Sequence, residues 1–94
     1  MFFEELLQIF RKRYVLYNRV DFYYISGGKE HLLNVSYDLE SPATKEREIR
    51  GLVEAMEKLS IKEGSIITAE HKELLKTGAG KIHIVPLWEW LLNA

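Results

Sequence analysis

The sequence predicts a three-layer α/β/α sandwich with a mixed sheet, element order α-β-β-β-α-β-β-α, and three observations carry that prediction. Two β-rich runs flank Gly27-Gly28, a two-residue loop that tolerates the positive φ angles closing an antiparallel hairpin. A helical stripe opened by Ser41-Pro42 separates this hairpin from a buried-type strand at residues 65–69, so strand, helix and strand form a parallel crossover. Both faces of the hairpin are largely apolar, which calls for cover on both sides of the sheet.

Each element follows from local chemistry. In residues 2–14, Phe2, Phe3, Leu6, Leu7, Phe10 and Tyr14 fall on one helical stripe. Glu4 and Glu5 lie early in it and Arg11, Lys12 and Arg13 late, as the helix dipole favours. Tyr14-Val15-Leu16-Tyr17 is aromatic and β-branched, a strand or a strand lead-in. The hairpin strands are residues 20–26 and 29–37, and their register follows from the turn. With Ser26 opposite Lys29, Tyr23 faces Leu32, Phe22 faces Leu33, Asp21 faces Asn34 and Arg19 faces Ser36. One face carries Val20, Phe22, Tyr24, His31, Leu33 and Val35. The other carries Asp21, Tyr23, Ile25, Leu32, Asn34 and Ser36.

After Ser41-Pro42, the positions Ile49, Leu52, Val53, Met56 and Leu59 form a buried helical stripe, and Gly64 ends the connection. Residues 70–79 are polar, with Thr77-Gly78-Ala79-Gly80 as a loop. Ile82-His83-Ile84-Val85 is a further strand, and Pro86 opens a terminal helix, Leu87-Trp88-Glu89-Trp90-Leu91-Leu92. Trp88 and Trp90 point to opposite sides of that helix.

A chain of 94 residues makes one domain spanning 1–94. Its 47% hydrophobic and 12% aromatic content is ample for a core. A formal net charge of −1 argues against wholesale coating of nucleic acid, which needs a basic excess. There is no cysteine, which excludes disulfides and thiolate zinc sites. Apolar stretches fall far short of the ~18–20 residues that span a bilayer, and acidic residues stand where a signal peptide carries positive charge. The expected location is the cytoplasm, with no membrane partner. Abundant Glu, Lys and Arg with scarce Gln and Asn fit a thermophile. Asn34-Val35-Ser36 matches a glycosylation sequon but lies within a predicted strand.

Cross-strand partners have Cβ atoms ~4.5–5.5 Å apart, so Asp21 and Asn34 can reach one hard divalent cation, with the Ser36 hydroxyl nearby. That set offers one carboxylate, one amide oxygen and one hydroxyl. His31, His71 and His83 have no ligand spacing and read as structural or surface residues.

Three stretches carry a resemblance: Arg19-Val20-Asp21-Phe22; Asn34-Val35-Ser36-Tyr37-Asp38 running on to Arg47-Glu48-Ile49; and Ile84-Val85-Pro86-Leu87-Trp88-Glu89-Trp90-Leu91-Leu92. With the order α-β-β-β-α-β, they resemble the PD-(D/E)XK, or restriction-endonuclease-like, nuclease fold. More narrowly they are similar to the C-terminal domain of archaeal AAA/STAND-type ATP-binding proteins. None of the six glycines forms a P-loop, so the ATPase module of those proteins is absent from this chain. In active members of the fold, the hairpin supplies an Asp, then Glu-x-Lys on the next strand, and an acid on the first helix often joins them. By position, the resemblance assigns Asp21 to the Asp, Asn34 to the Glu, Ser36 to the Lys, and Glu4 or Glu5 to the helical acid.

Two of the three central groups are thus replaced, and each replacement removes charge that metal binding or transition-state stabilisation needs. The expectation is a catalytically inactive nuclease-like domain without a cofactor, acting as a binding or accessory module. Its implied partner is a second copy or another protein, met through the Trp-containing C-terminal helix. The competing expectation is a Mg²⁺- or Mn²⁺-dependent nuclease on DNA or RNA, using Asp21 with Glu4, Glu5 or Asp38. A third reading makes the chain a remnant of a larger ATPase.

Overall fold

The computed structural model describes residues 20–93. The chain runs β1 (Phe22–Ser26), β2 (Lys29–Val35), α1 (Pro42–Leu59), β3 (Glu63–Thr68), β4 (Glu73–Thr77), β5 (Gly80–Pro86) and α2 (Leu87–Asn93). The five strands form one mixed sheet in the order β1-β2-β3-β5-β4. The expected helix at 2–14, the strand lead-in at 14–17, Arg19, Glu4 and Glu5 lie outside the described residues.

Gly27 and Gly28 have φ of 62° and 77°, so both turn positions use the left-handed conformation that glycine enters without a Cβ penalty. The turn sets the register Ser26↔Lys29, Tyr24↔His31, Tyr23↔Leu32 and Phe22↔Leu33, as the sequence implies. β2 then pairs parallel with β3, and β3 parallel with β5, while β4 runs antiparallel to β5.

α1 starts where Ser41 caps it, its Oγ accepting the Thr44 N–H at 3.4 Å, with Pro42 in the first turn. It stops at Ser60, which takes φ 57° and donates its N–H to the carbonyls of Met56 and Glu57. The buried face is Gly51, Leu52, Ala55 and Met56, with Ile49, Val53 and Leu59 partly buried beside it. These meet Leu32, Ile66, Ile82 and Ile84 from the sheet. Each large aliphatic side chain so buried contributes about 1.5–3 kcal/mol, so this cluster anchors α1. On the opposite face, Leu33 and Ile67 pack with Phe22, Tyr24, Val85 and Trp90, which is how α2 docks.

Two expectations need correction. The polar stretch 70–79, read without a strand and with residues 77–80 as a loop, contains β4 at Glu73–Thr77, and β5 already begins at Gly80. Only Leu75 of β4 packs on the core, while Leu74 is half exposed, so its pairing with β5 rather than its composition defines it. Val20 does not share the face of Phe22. It is buried with Leu32 in the α1-side cluster, because it precedes the paired strand and is not bound by its alternation. The terminal helix behaves as expected: Trp90 packs inward, while Trp88 is 59% exposed.

Candidate functional site in the hairpin

The β-turn fixes which residues can meet. Phe22↔Leu33 is the last ladder pair, so Asp21 and Asn34 come next in line. Two hydrogen bonds between backbone and side chain join their segments. The Asp21 N–H donates to Asn34 Oδ1 at 3.0 Å, and the Val35 N–H donates to Asp21 Oδ2 at 2.9 Å. Each side chain therefore ties down the other strand's backbone, and together they close the open end of the hairpin where the ladder stops.

Asn34 follows Leu32 on the α1 side of the sheet and is almost fully buried, at 1% exposure. A buried amide needs partners on both its oxygen and its nitrogen. Its Nδ2 donates to Glu48 Oε1 of α1 at 3.3 Å. Among the described residues, no buried side-chain nitrogen or oxygen lacks a partner. The burial also agrees with reading the Asn34-Val35-Ser36 sequon as coincidental.

Glu48 completes the constellation. Burial, and then the negative charge of Asp21, push its carboxyl above the ordinary range, while Arg47 and the Asn34 hydrogen bond oppose the rise. Asn34 thus stands between two acids, donating to one and accepting from the backbone of the other. Sequence reasoning passed over Glu48 as a site member. The signal was available: Glu48, Leu52 and Met56 share one helical stripe at spacing i, i+4, i+8, so an acid there is turned toward the core.

The remaining candidates separate. The Ser36 N–H donates to the Ile67 carbonyl at 2.8 Å, which carries the β2–β3 contact one residue beyond the ladder. Asp38 Oδ1 accepts the Glu40 N–H at 2.8 Å, so Asp38 shapes the loop before Ser41. Glu4 and Glu5, the helical acids of the resemblance, lie outside the described residues. His31 stacks on Tyr24 at 4.8 Å, His71 pairs with Glu73 at 2.8 Å, and His83 approaches Glu63 at 3.6 Å, so the three histidines serve three separate places. Among the described residues, no three His, Cys, Asp or Glu side chains converge to hold a metal ion.

A second polar group, also unforeseen, joins α1 to β4. Glu73 Oε1 accepts from Lys45 Nζ at 2.7 Å and lies 2.8 Å from His71 Nε2. The His71 and Lys45 hydrogen bonds hold the Glu73 carboxyl below its usual range. The group was hidden because it requires β4.

Within the described residues, no helix is long and apolar enough to cross a membrane. Compared with protein families, curated proteins and solved structures, the chain matches none.

Proposed function

We propose that the chain is a restriction-endonuclease-like domain, a three-layer α/β/α sandwich whose nuclease centre is inactive, and that it serves in the cytoplasm as a binding or accessory module. The role parallels that of the C-terminal domain its motifs resemble in archaeal AAA/STAND-type ATP-binding proteins. One observation supports this reading most. Asn34, at the position where active members of that fold carry a carboxylate, is buried with its amide spent on the Asp21 N–H and on Glu48.

The donor set is poorer in charge than the divalent cation of a nuclease calls for, with one carboxylate, one amide oxygen and one hydroxyl at the three matched positions. A hard cation takes its ligands from carboxylate and carbonyl oxygens and water. Here one oxygen of Asp21 is held by the Val35 N–H, and Asn34 Oδ1 is held by the Asp21 N–H. Burial and the charge of Asp21 raise the Glu48 carboxyl above its usual range. Ser36, in the position of the activating lysine, brings no charge. The partner surface is the C-terminal helix, where Trp88 and Leu92, one turn apart, are 59% and 77% exposed.

The test compares cleavage of DNA and RNA, and binding of Mg²⁺, between the natural chain and an Asn34→Glu/Ser36→Lys variant whose fold is checked by circular dichroism. The natural chain is expected to show no metal-dependent cleavage, and the variant to bind Mg²⁺. Metal-dependent cleavage by the natural chain, abolished in Asp21→Ala, would overturn the proposal.

A further inference from the structure

The parallel strands β2, β3 and β5 end together at one end of the sheet. The chain leaves β2 for α1, which packs on one face, and leaves β5 for α2, which packs on the other. Where connections part to opposite faces beyond the carboxyl ends of parallel strands, open α/β sheets form their binding crevices. A cleft of about 1540 Å³ opens at this place. Leu33, Val35 and Ile67 of the sheet and Leu87 and Trp90 of α2 give it an apolar lining. It lies across the sheet from Asn34 and Glu48 and is separate from the hairpin cluster.

The mouth of the cleft is acidic. Asp38 and Glu40 approach from the loop after β2, and Glu70 from the loop after β3. All three are exposed, and none forms an ion pair among the described residues. The two basic side chains at the same mouth, Lys45 and His71, are both engaged by Glu73. Three exposed carboxylates therefore line a largely apolar cleft whose Lys45 ammonium is already paired with Glu73. Drug-sized ligands fill pockets of roughly 300–1,000 Å³, so this cleft is large enough for a polypeptide segment.

We propose that the cleft docks a cationic amphipathic segment of a partner protein. Its apolar side chains meet Leu33, Ile67 and Trp90, and its Lys or Arg residues face Asp38, Glu40 and Glu70, as in groove recognition of an amphipathic helix. The inference rests on the reading of the chain as a binding module and adds a second surface, distinct from the exposed Trp88 and Leu92 of α2, with the partner's chemistry.

Fluorescence anisotropy with two labelled 14-residue amphipathic peptides, one of Leu and Lys and one of Leu and Glu, tests it on the full chain at low salt. The Leu/Lys peptide should bind at least tenfold more tightly than the Leu/Glu peptide and weaken as salt rises. Asp38→Lys/Glu70→Lys should weaken it about tenfold, and the exposed α1 control Glu54→Lys/Glu57→Lys should stay within about twofold. Equal affinity for both peptides, insensitivity to Asp38→Lys/Glu70→Lys, or no binding at millimolar peptide would overturn the proposal. Residues 2–14, with Arg11-Lys12-Arg13, are the competing occupant. If the natural chain fails to bind and only Arg11→Glu/Lys12→Glu/Arg13→Glu gains binding, the occupant is the chain's own segment and the proposal falls. The cleavage assay is independent: a silent cleft leaves the inactive hairpin standing, and nuclease activity leaves the cleft standing.

Discussion

Asp21 and Asn34 each hold the other's strand. Asn34 Oδ1 accepts the Asp21 N–H at 3.0 Å, and Asp21 Oδ2 accepts the N–H of Val35, the residue after Asn34, at 2.9 Å. The exchange replaces the ladder bonds the hairpin lacks beyond Phe22↔Leu33.

Removing the buried amide should therefore loosen the fold. Asn34→Ala leaves the Asp21 N–H without its acceptor and Glu48 without its donor, a loss of roughly 2 kcal/mol. Urea denaturation followed by circular dichroism is expected to show a lower midpoint with an unchanged slope. A variant as stable as the natural chain would count against the structural role given to Asn34.

Glu48 sets one part of the pH dependence. Its carboxyl is raised by burial first and by Asp21 second, so the folded chain binds a proton that the unfolded chain releases at lower pH. The stabilisation from that proton is present at low pH and lost as pH rises through the raised range. Glu48→Gln keeps an acceptor for Asn34 Nδ2 and removes the titration. The variant should be at least as stable as the natural chain at pH 7, with the two converging below the ordinary carboxylate range. Chemical denaturation across pH 3–8 measures this.

Glu73 works with the opposite sign. The hydrogen bonds from His71 and Lys45 lower its carboxyl pKa, so its contribution is present above the ordinary carboxylate range and lost as pH falls through the lowered one. Glu73→Gln should be less stable than the natural chain near neutrality and indistinguishable from it in strong acid. Because the group is near the surface, the difference should shrink in high salt.

Two glycines separate backbone from side-chain constraint. A Cβ on Gly80, at φ +144°, would lie 2.0 Å from the Lys62 carbonyl oxygen, whereas one on Gly64 would meet the movable side chains of Leu52 at 3.0 Å and Met56 at 3.2 Å. Gly80→Ala should destabilise by about 3 kcal/mol or abolish folding, and Gly64→Ala by about 1 kcal/mol. Denaturant midpoints of the two variants give the comparison, and equal midpoints would contradict it.

What could be read from the sequence depended on whether local chemistry alone decides an element. Gly27-Gly28 sets the turn, the turn sets the register, and the register aligns Asp21 with Asn34 without further information. Ser41-Pro42 likewise marks the start of α1. β4 escaped because Glu73-Leu74-Leu75-Lys76-Thr77 has one core contact and owes its form to β5. Glu48 and the Lys45–Glu73 pair escaped for a related reason. Each depends on how α1 lies across the sheet, which strand alternation does not specify.

The central claim is that the hairpin's polar residues serve structure rather than metal-dependent hydrolysis. The most direct measurement is cleavage of labelled DNA and RNA by the natural chain with Mg²⁺ and with Mn²⁺, beside Asp21→Ala. The expected result is no metal-dependent product from either protein. Metal-dependent cleavage by the natural chain that disappears with Asp21→Ala would contradict the account.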